Sequence, residues 1–387
     1  MRVLHIVFSC FYIEGLGYQE NLMPLYHKRQ GHDVYVLTST FKNSHLGTEE
    51  FKGLPSYVNH DGINVKILQR RPVNVFGKKY DFNEYYDVYP SIQEIEPDII
   101  FLHGLLSISH LQVVKYVRDN PKVKVYADQH GDYYNSPIRT ISQRFLNTFL
   151  WRPIIRKMDS VVSIYWGTTP WRCEYMEDIY KISKDKIRLL VMGADNERIS
   201  QLRADGTREK TRESLNIKDE FVLITGGKID KAKNLHLLMR AFNDLNLENT
   251  KLIIFGNLKD DIKAEFEELK SNPNIIYIGW IAADDVYKYM LASDLAVFPG
   301  THSVLWEQAC GCGLPAVYKK WPGMTHVDRD GNCEFLCEDS VEEIKSILYE
   351  IVSNKEKYKS MKGVAENNCV SYFSYDQIAK RAIEMEE

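Results

Sequence analysis

The residues best suited to chemistry gather after an apolar run. Leu295-Ala296-Val297-Phe298 breaks at Pro299-Gly300 and continues as Thr301-His302-Ser303-Val304-Leu305-Trp306-Glu307-Gln308. A strand, a polar turn and a helix start aim unpaired N–H groups and a helix dipole at an anion, so Thr301, His302, Ser303 and Val304 read as a phosphate contact. Glu307 cannot bind a phosphate, but it can accept hydrogen bonds from hydroxyls of a ribose or a sugar; the alternative is a solvated helix carboxylate. A second run, Gly226-Gly227-Lys228-Ile229-Asp230-Lys231-Ala232-Lys233-Asn234, follows the strand Phe221–Thr225. Gly227 allows close backbone approach, and Lys228 and Lys233 are compact charges suited to a diphosphate. Taken alone, this stretch reads equally well as a lysine-rich exposed loop.

Two histidines end apolar strands, each followed by glycine: His103 after Ile99–Leu102 and His130 after Val125–Gln129. Their shared position points to ligand contact, with His103 and Asp132 on the acceptor side. Asp132 is expected to orient His130. The bland alternative is a pair of structural histidines.

Between 139 and 157 five cations, Arg139, Arg144, Arg152, Arg156 and Lys157, interleave with Phe145, Leu146, Phe149, Leu150, Trp151, Ile154 and Ile155. A helix packing its apolar face onto a sheet is the expected reading. An anionic membrane surface is the other, which leaves peripheral membrane contact open. Asp328-Arg329-Asp330 continues into Gly331-Asn332 and reads as a surface turn, so no metal and no cofactor are expected. The seven cysteines are odd in number and spaced C-x-C and C-x3-C around 310–337, which argues against a disulfide framework and against zinc.

Elements must position these groups. A chain of 387 residues is too long for one ordinary core. With 44% hydrophobic and 26% charged residues its composition is globular, and a net charge of -4 gives no support for a nucleic-acid partner. Apolar strands are expected at 3–8, 33–38, 65–68, 99–102, 123–127, 160–164 and 187–191, then at 221–225, 251–255, 275–278, 295–298 and 315–318, separated by helices. That alternation predicts α/β architecture: two Rossmann-like, doubly wound parallel-sheet domains facing a cleft, with ligands at the carboxyl ends of strands. The expected bounds are 1–195 for the first domain, 196–218 for a charged linker, 219–370 for the second domain and 371–387 for a C-terminal helix, which could cross back to the first domain. With no apolar run of spanning length and no secretory leader, the protein is expected in the cytoplasm or peripherally on the inner face of the cell membrane.

The motifs, taken in order, resemble the retaining glycosyltransferases of the GT-B fold, family four. Gly15-Leu16-Gly17 is similar to that family's N-terminal glycine loop, and Gly31-His32-Asp33-Val34 to its strand entry. Val191–Asp195 resembles the element closing its first domain, Gly227–Asn234 its basic loop, Ile278-Gly279-Trp280-Ile281 its nucleobase-holding strand end, and Phe373-Ser374-Tyr375 its closing aromatic motif. The resemblance implies a nucleotide-diphosphate sugar as donor and a saccharide or lipid-linked acceptor. It adds Gly15, Gly17, Gly279, Trp280 and Ile281 to the donor side. His130 is similar to the family's histidine at the end of a central strand, which implies contact with the donor sugar or help in placing the acceptor, and with Lys228, Lys233 and Glu307 it becomes the catalytic set. It also implies retention of configuration and a setting in surface-polysaccharide synthesis. The family carries two glutamates eight positions apart near this helix. One alignment puts Gly300 at the first and Gln308 at the second; a shift by one puts Glu307 at the second, and no acid stands at the first in either, with His302 and Ser303 as substitutes. Two rival classes share these features: a nucleotide-sugar epimerase of the same fold, which needs no acceptor, and a non-catalytic nucleotide-sugar binder.

Overall fold

The computed structural model describes residues 1–383 apart from 11, 15, 16, 40, 45, 46, 51, 52, 54, 76, 135, 137 and 139, and only the backbone of 41–44, 47–50 and 75. Gly15, Leu16 and Arg139 thus lie outside the described residues. The chain forms two compact units, one comprising Met1–Val191 with Ile378–Glu387 and the other Met192–Gln377.

The first unit is built on eight strands: β1 (Arg2–Val7), β2 (Asp33–Ser39), β3 (Ser56–Val58), β4 (Asn64–Leu68), β5 (Ile99–His103), β6 (Lys124–Gln129), β7 (Ile164–Gly167) and β8 (Ile187–Leu189). They lie in the order β8-β7-β6-β5-β1-β2-β4-β3, parallel except for β3, which runs antiparallel to β4 at the edge. The central strands are continuous apolar runs because helices cover both faces; every residue of β5 is buried. Helix α1 (Gln19–Arg29) follows β1. Strand β7 starts at Ile164, not at Ser160 as expected, because Val161 and Val162 both donate to Met158 O and finish the preceding helix.

The second unit carries six parallel strands: β9 (Phe221–Ile229), β10 (Thr250–Leu258), β11 (Ile275–Tyr277), β12 (Leu295–Phe298), β13 (Ala316–Lys319) and β14 (Cys333–Leu336), in the order β11-β10-β9-β12-β13-β14. The expected linker is not a linker. Residues 196–218 form α2 (Asn196–Ala204) and α3 (Thr207–Ser214), which belong to this unit. Arg208 and Arg212 reach Asp294 at 2.7 and 3.4 Å and donate to the carbonyls of Leu291, Ala292 and Ser293. Charge there reads as solvation in the sequence, whereas in the fold it fastens two helices to the start of β12.

The last helix, α4 (Tyr375–Ile383), passes from one unit's residues to the other's at Ile378. Its far half docks on the first unit, where His27 and Trp166 donate to Ala379 O and Ala382 O. The basic segment departs from expectation. Trp151, Ile154, Ile155 and Met158 are buried, but Ile141, Phe145 and Phe149 are 88%, 63% and 66% exposed. The helical turns before Pro153 thus present a second apolar stripe that the sheet does not cover.

Candidate functional site: a basic pocket and two histidine–carboxylate clusters

In the second unit two loops close on one another. Strand β9 extends through the glycines to Ile229, so Gly227 pairs with Gly256 of β10 rather than forming a loop. Both have positive φ, and a Cβ on Gly256 would lie 1.8 Å from Gly227 O, so the tight strand pairing requires glycine. A single turn, Lys231–Lys233, follows, and Thr301 N returns a hydrogen bond to Ala232 O at 3.2 Å. Lys233 Nζ donates to Thr301 O at 2.6 Å and to His302 O at 3.4 Å. Asn234 Nδ2 donates to Pro299 O at 3.2 Å.

A pocket lies between these loops, lined by Thr225, Gly226, Lys228, Lys233, Gly300, Thr301 and Ser303 among others. Burial lowers the Lys233 ammonium to about 8, with Asp230 opposing that shift and Lys228 adding to it. Lys228 is exposed and meets Asp230 at 2.8 Å. At Gly300 a Cβ would lie 2.3 Å from Lys233 Cα, so no side chain fits there. Gly279 has positive φ and accepts from Gly256 N at 2.7 Å; Trp280 beside it is 57% exposed, with Ile281 half-buried. Val304 stands at the N-cap of the short helix Leu305–Gly311.

Glu307 corrects the sequence reading. It is fully buried, and its Oε1 takes contacts from His302 Nε2 and His326 Nε2, both at 2.8 Å. A ribose hydroxyl has no path to it in this arrangement. Burial pushes its carboxyl up, but contact with His302 and His326 outweighs that and holds it below the usual carboxylate range. His326 was missed because it stands alone in the sequence, 19 positions from Glu307. Among the described residues, His302, Glu307 and His326 are the group whose side chains could converge on an ion. Their short mutual contacts equally describe a hydrogen-bonded cluster. Asp328 Oδ1 accepts from Gly331 N at 2.8 Å, as a turn residue does.

In the first unit His130 Nε2 lies 3.3 Å from Asp128 Oδ2 and keeps 27% of its side chain exposed. Burial lowers the His130 pKa, but Asp128 and Glu20 outweigh it and leave the pKa raised. The carboxylate beside His130 is thus Asp128, whereas Asp132 meets Arg172 Nε at 3.5 Å and accepts from Tyr134 N. His103, expected to touch an acceptor, is fully buried between His5 and Asp128 and cannot reach one. Asp128 had a signal in the sequence: it is an acid inside an apolar strand, as His5 is a histidine inside another. Gly17 precedes α1 and is half-buried.

Two doubly wound parallel-sheet units with a basic pocket at strand ends define the GT-B architecture. Residues 207–368, all within the second unit, match the family Glycosyl transferases group 1. A solved glycosyltransferase from Rickettsia africae shares the fold over 98% of this chain and 96% of its own, with a TM-score of 0.71 at 14% identity. The N-acetylgalactosamine-N,N'-diacetylbacillosaminyl-diphospho-undecaprenol 4-alpha-N-acetylgalactosaminyltransferase of Campylobacter jejuni is 34% identical over 149 residues, which is 36% of this chain and 38% of that protein. The alpha-monoglucosyldiacylglycerol synthase of Streptococcus pneumoniae is 22% identical over 321 residues, 78% of this chain and 67% of that protein.

Proposed function

We propose that this protein is a glycosyltransferase that moves a sugar from a nucleotide-diphosphate sugar to a hydroxyl on a saccharide or lipid-linked acceptor. The observation that carries the reading is the pocket in which Lys228, Lys233 and the 299–303 turn surround one space, inside residues matching Glycosyl transferases group 1. As the glycosidic bond breaks, charge builds on the leaving diphosphate. A fixed ammonium in a partly dry pocket stabilises that charge more than the ground state. Lysines supply the counter-charge in this reading, so the reaction runs without a metal, and loss of turnover in EDTA would overturn that part. The base rests near Gly279, Trp280 and Ile281.

The names of both relatives specify alpha products and acceptors or products carried on lipid. They support transfer with retention from an alpha-linked donor to a membrane-borne acceptor. The exposed stripe Ile141, Phe145 and Phe149 supports peripheral contact with an anionic bilayer, because Arg144, Arg152, Arg156 and Lys157 accompany it and no acidic residue occurs from 141 to 158. No described helix is long and apolar enough to cross a membrane.

The test is a thermal-shift screen against UDP, GDP, ADP and their sugar conjugates, followed by transfer to a lipid-linked saccharide with the anomer assigned by NMR. One nucleotide series should stabilise the protein and support transfer. Sugar interconversion without acceptor would move the protein to the epimerases, and tight donor binding with no turnover would make it a binder.

A further inference from the structure

Three imidazoles in the first unit form an unbroken string. His27 Nε2 meets Ala379 O at 2.8 Å, His5 Nε2 meets His27 Nδ1 at 2.9 Å, His103 Nε2 meets His5 Nδ1 at 2.9 Å, and His103 Nδ1 meets Asp128 Oδ2 at 3.1 Å. All three rings are fully buried. The string ends on an acceptor at each side, a backbone carbonyl and a carboxylate. Lone pairs facing each other at these distances repel, so each of the four contacts needs a hydrogen. A neutral imidazole carries one N–H, so three neutral rings leave the string one proton short.

The missing proton must sit on a ring or on Asp128. Asp128 Oδ1 accepts from Gly104 N at 2.9 Å, and Oδ2 accepts from Gln19 Nε2 at 2.9 Å and meets His130 at 3.3 Å. Donors on this scale favour the carboxylate, and free imidazole is the stronger base by roughly 2 to 3 pH units. Burial drives His27 down to about 3 and His5 well below its ordinary value, which leaves the ring against the carboxylate as the holder.

We propose that the string His27–His5–His103 holds one proton more than three neutral rings, resident on His103 beside ionised Asp128, and that this pair is the positioning partner that sets the basicity of His130. The role given to His130 rests on the glycosyltransferase reading; the charge state of the string does not. The groups facing it are His5 from β1, His27 and Glu20 from α1, Cys10 and His32 from the turns after those elements, His130 after β6, and Arg172 from the helix Pro170–Tyr175. An imidazolium on His103 offsets the charge of Asp128, so His130 feels only part of it.

The test is 15N NMR of the full chain labelled at its 11 histidines, with each ring assigned by single substitution. At pH 7 His103 should show both ring nitrogens protonated, while His5 and His27 are neutral with the proton on Nε2. His103→Asn removes the cation but not Asp128, so the His130 midpoint should rise by about half a pH unit or more, on the scale of a neighbouring charge. Asp128→Asn offers an amide N–H to His103 Nδ1, completes the string with three neutral rings, and should abolish the imidazolium signal. A neutral His103 in the wild-type protein, or an unmoved His130 midpoint in folded His103→Asn, overturns the proposal. The wild-type spectrum and Asp128→Asn decide it if His103→Asn does not fold. These readouts need no turnover, so they can succeed or fail independently of the glycosyltransferase assignment.

Discussion

Lys233 donates from its ammonium to the carbonyl of Thr301 at 2.6 Å, across 68 positions of sequence. That bond, with the return bond from Thr301 N to Ala232 O, makes the pocket a joint property of two βα turns. Its cation is held before any ligand arrives, so in the proposed transfer little reorganisation would be needed as charge develops on a leaving phosphate.

Lys233→Ala should therefore cut turnover about 10²-fold or more and erase the thermal shift given by nucleotide diphosphates. Lys233→Arg should restore little, because a planar guanidinium does not reproduce a compact ammonium seated on two carbonyls. Steady-state kinetics on both variants check this; near-wild-type turnover in Lys233→Ala would remove the residue from the site.

The lowered Lys233 pKa, about 8, has two consequences of opposite sign. The unfolded chain keeps its lysine protonated to about 10.4, so between the two values it binds more protons and the free protein gains stability as pH rises. Diphosphate binding requires the ammonium, so affinity should fall by up to tenfold per pH unit above about 8. Calorimetry in buffers of different ionisation enthalpy should show proton uptake on binding at pH 8.5 and little at pH 7; equal uptake at both would take Lys233 out of the binding equilibrium.

Gly300→Ala tests the packing of the same turns. Its Cβ would come within 2.3 Å of the Lys233 backbone, an overpacking of about 1–3 kcal/mol that also moves the ammonium. A melting temperature lowered by roughly 2–4 °C per kcal/mol, with weakened donor binding, is the expected result. An unchanged melt would mean the turns are not closed as described.

The parallel strands and their helices were legible because burial on both faces writes continuous apolar runs. That Lys228, Lys233, Thr301 and Ser303 line one pocket was legible because they all follow strand ends, where such sheets gather their loops. What stayed hidden depends on contacts distant in sequence. Glu307 looks like any helical acid until His326 is folded onto it. His103 looks like a strand-end ligand until His5 and Asp128 enclose it. The helices at 196–218 read as a linker because their arginines spend their charge on Asp294 and backbone carbonyls rather than on water.

Glu307→Ala removes the shared acceptor of two imidazoles and should destabilise the protein by about 3 kcal/mol. Because its folded pKa is depressed, Glu307 contributes stability above its unfolded value of about 4.3, and that contribution is lost as pH falls toward the folded value. Urea midpoints of the wild type should drop below pH 4.3 more steeply than those of Glu307→Gln. Parallel curves would show that the carboxylate is not held ionised by His302 and His326.

Phe145 and Phe149 pack with ring centroids 4.3 Å apart and planes tilted by 38° on the uncovered stripe. At 63% and 66% exposure they add little to the folded core, so Phe145→Asp with Phe149→Asp should leave the melting temperature nearly unchanged. On a bilayer the same rings would each contribute about 1.5–3 kcal/mol by leaving water, and aspartate would replace that with repulsion from anionic lipid. Co-sedimentation with phosphatidylglycerol vesicles should fall about 10²-fold in the double variant, while activity on a water-soluble acceptor is retained. Wild-type protein that ignores anionic vesicles, or a double variant that binds them equally well, would leave the stripe without a membrane role.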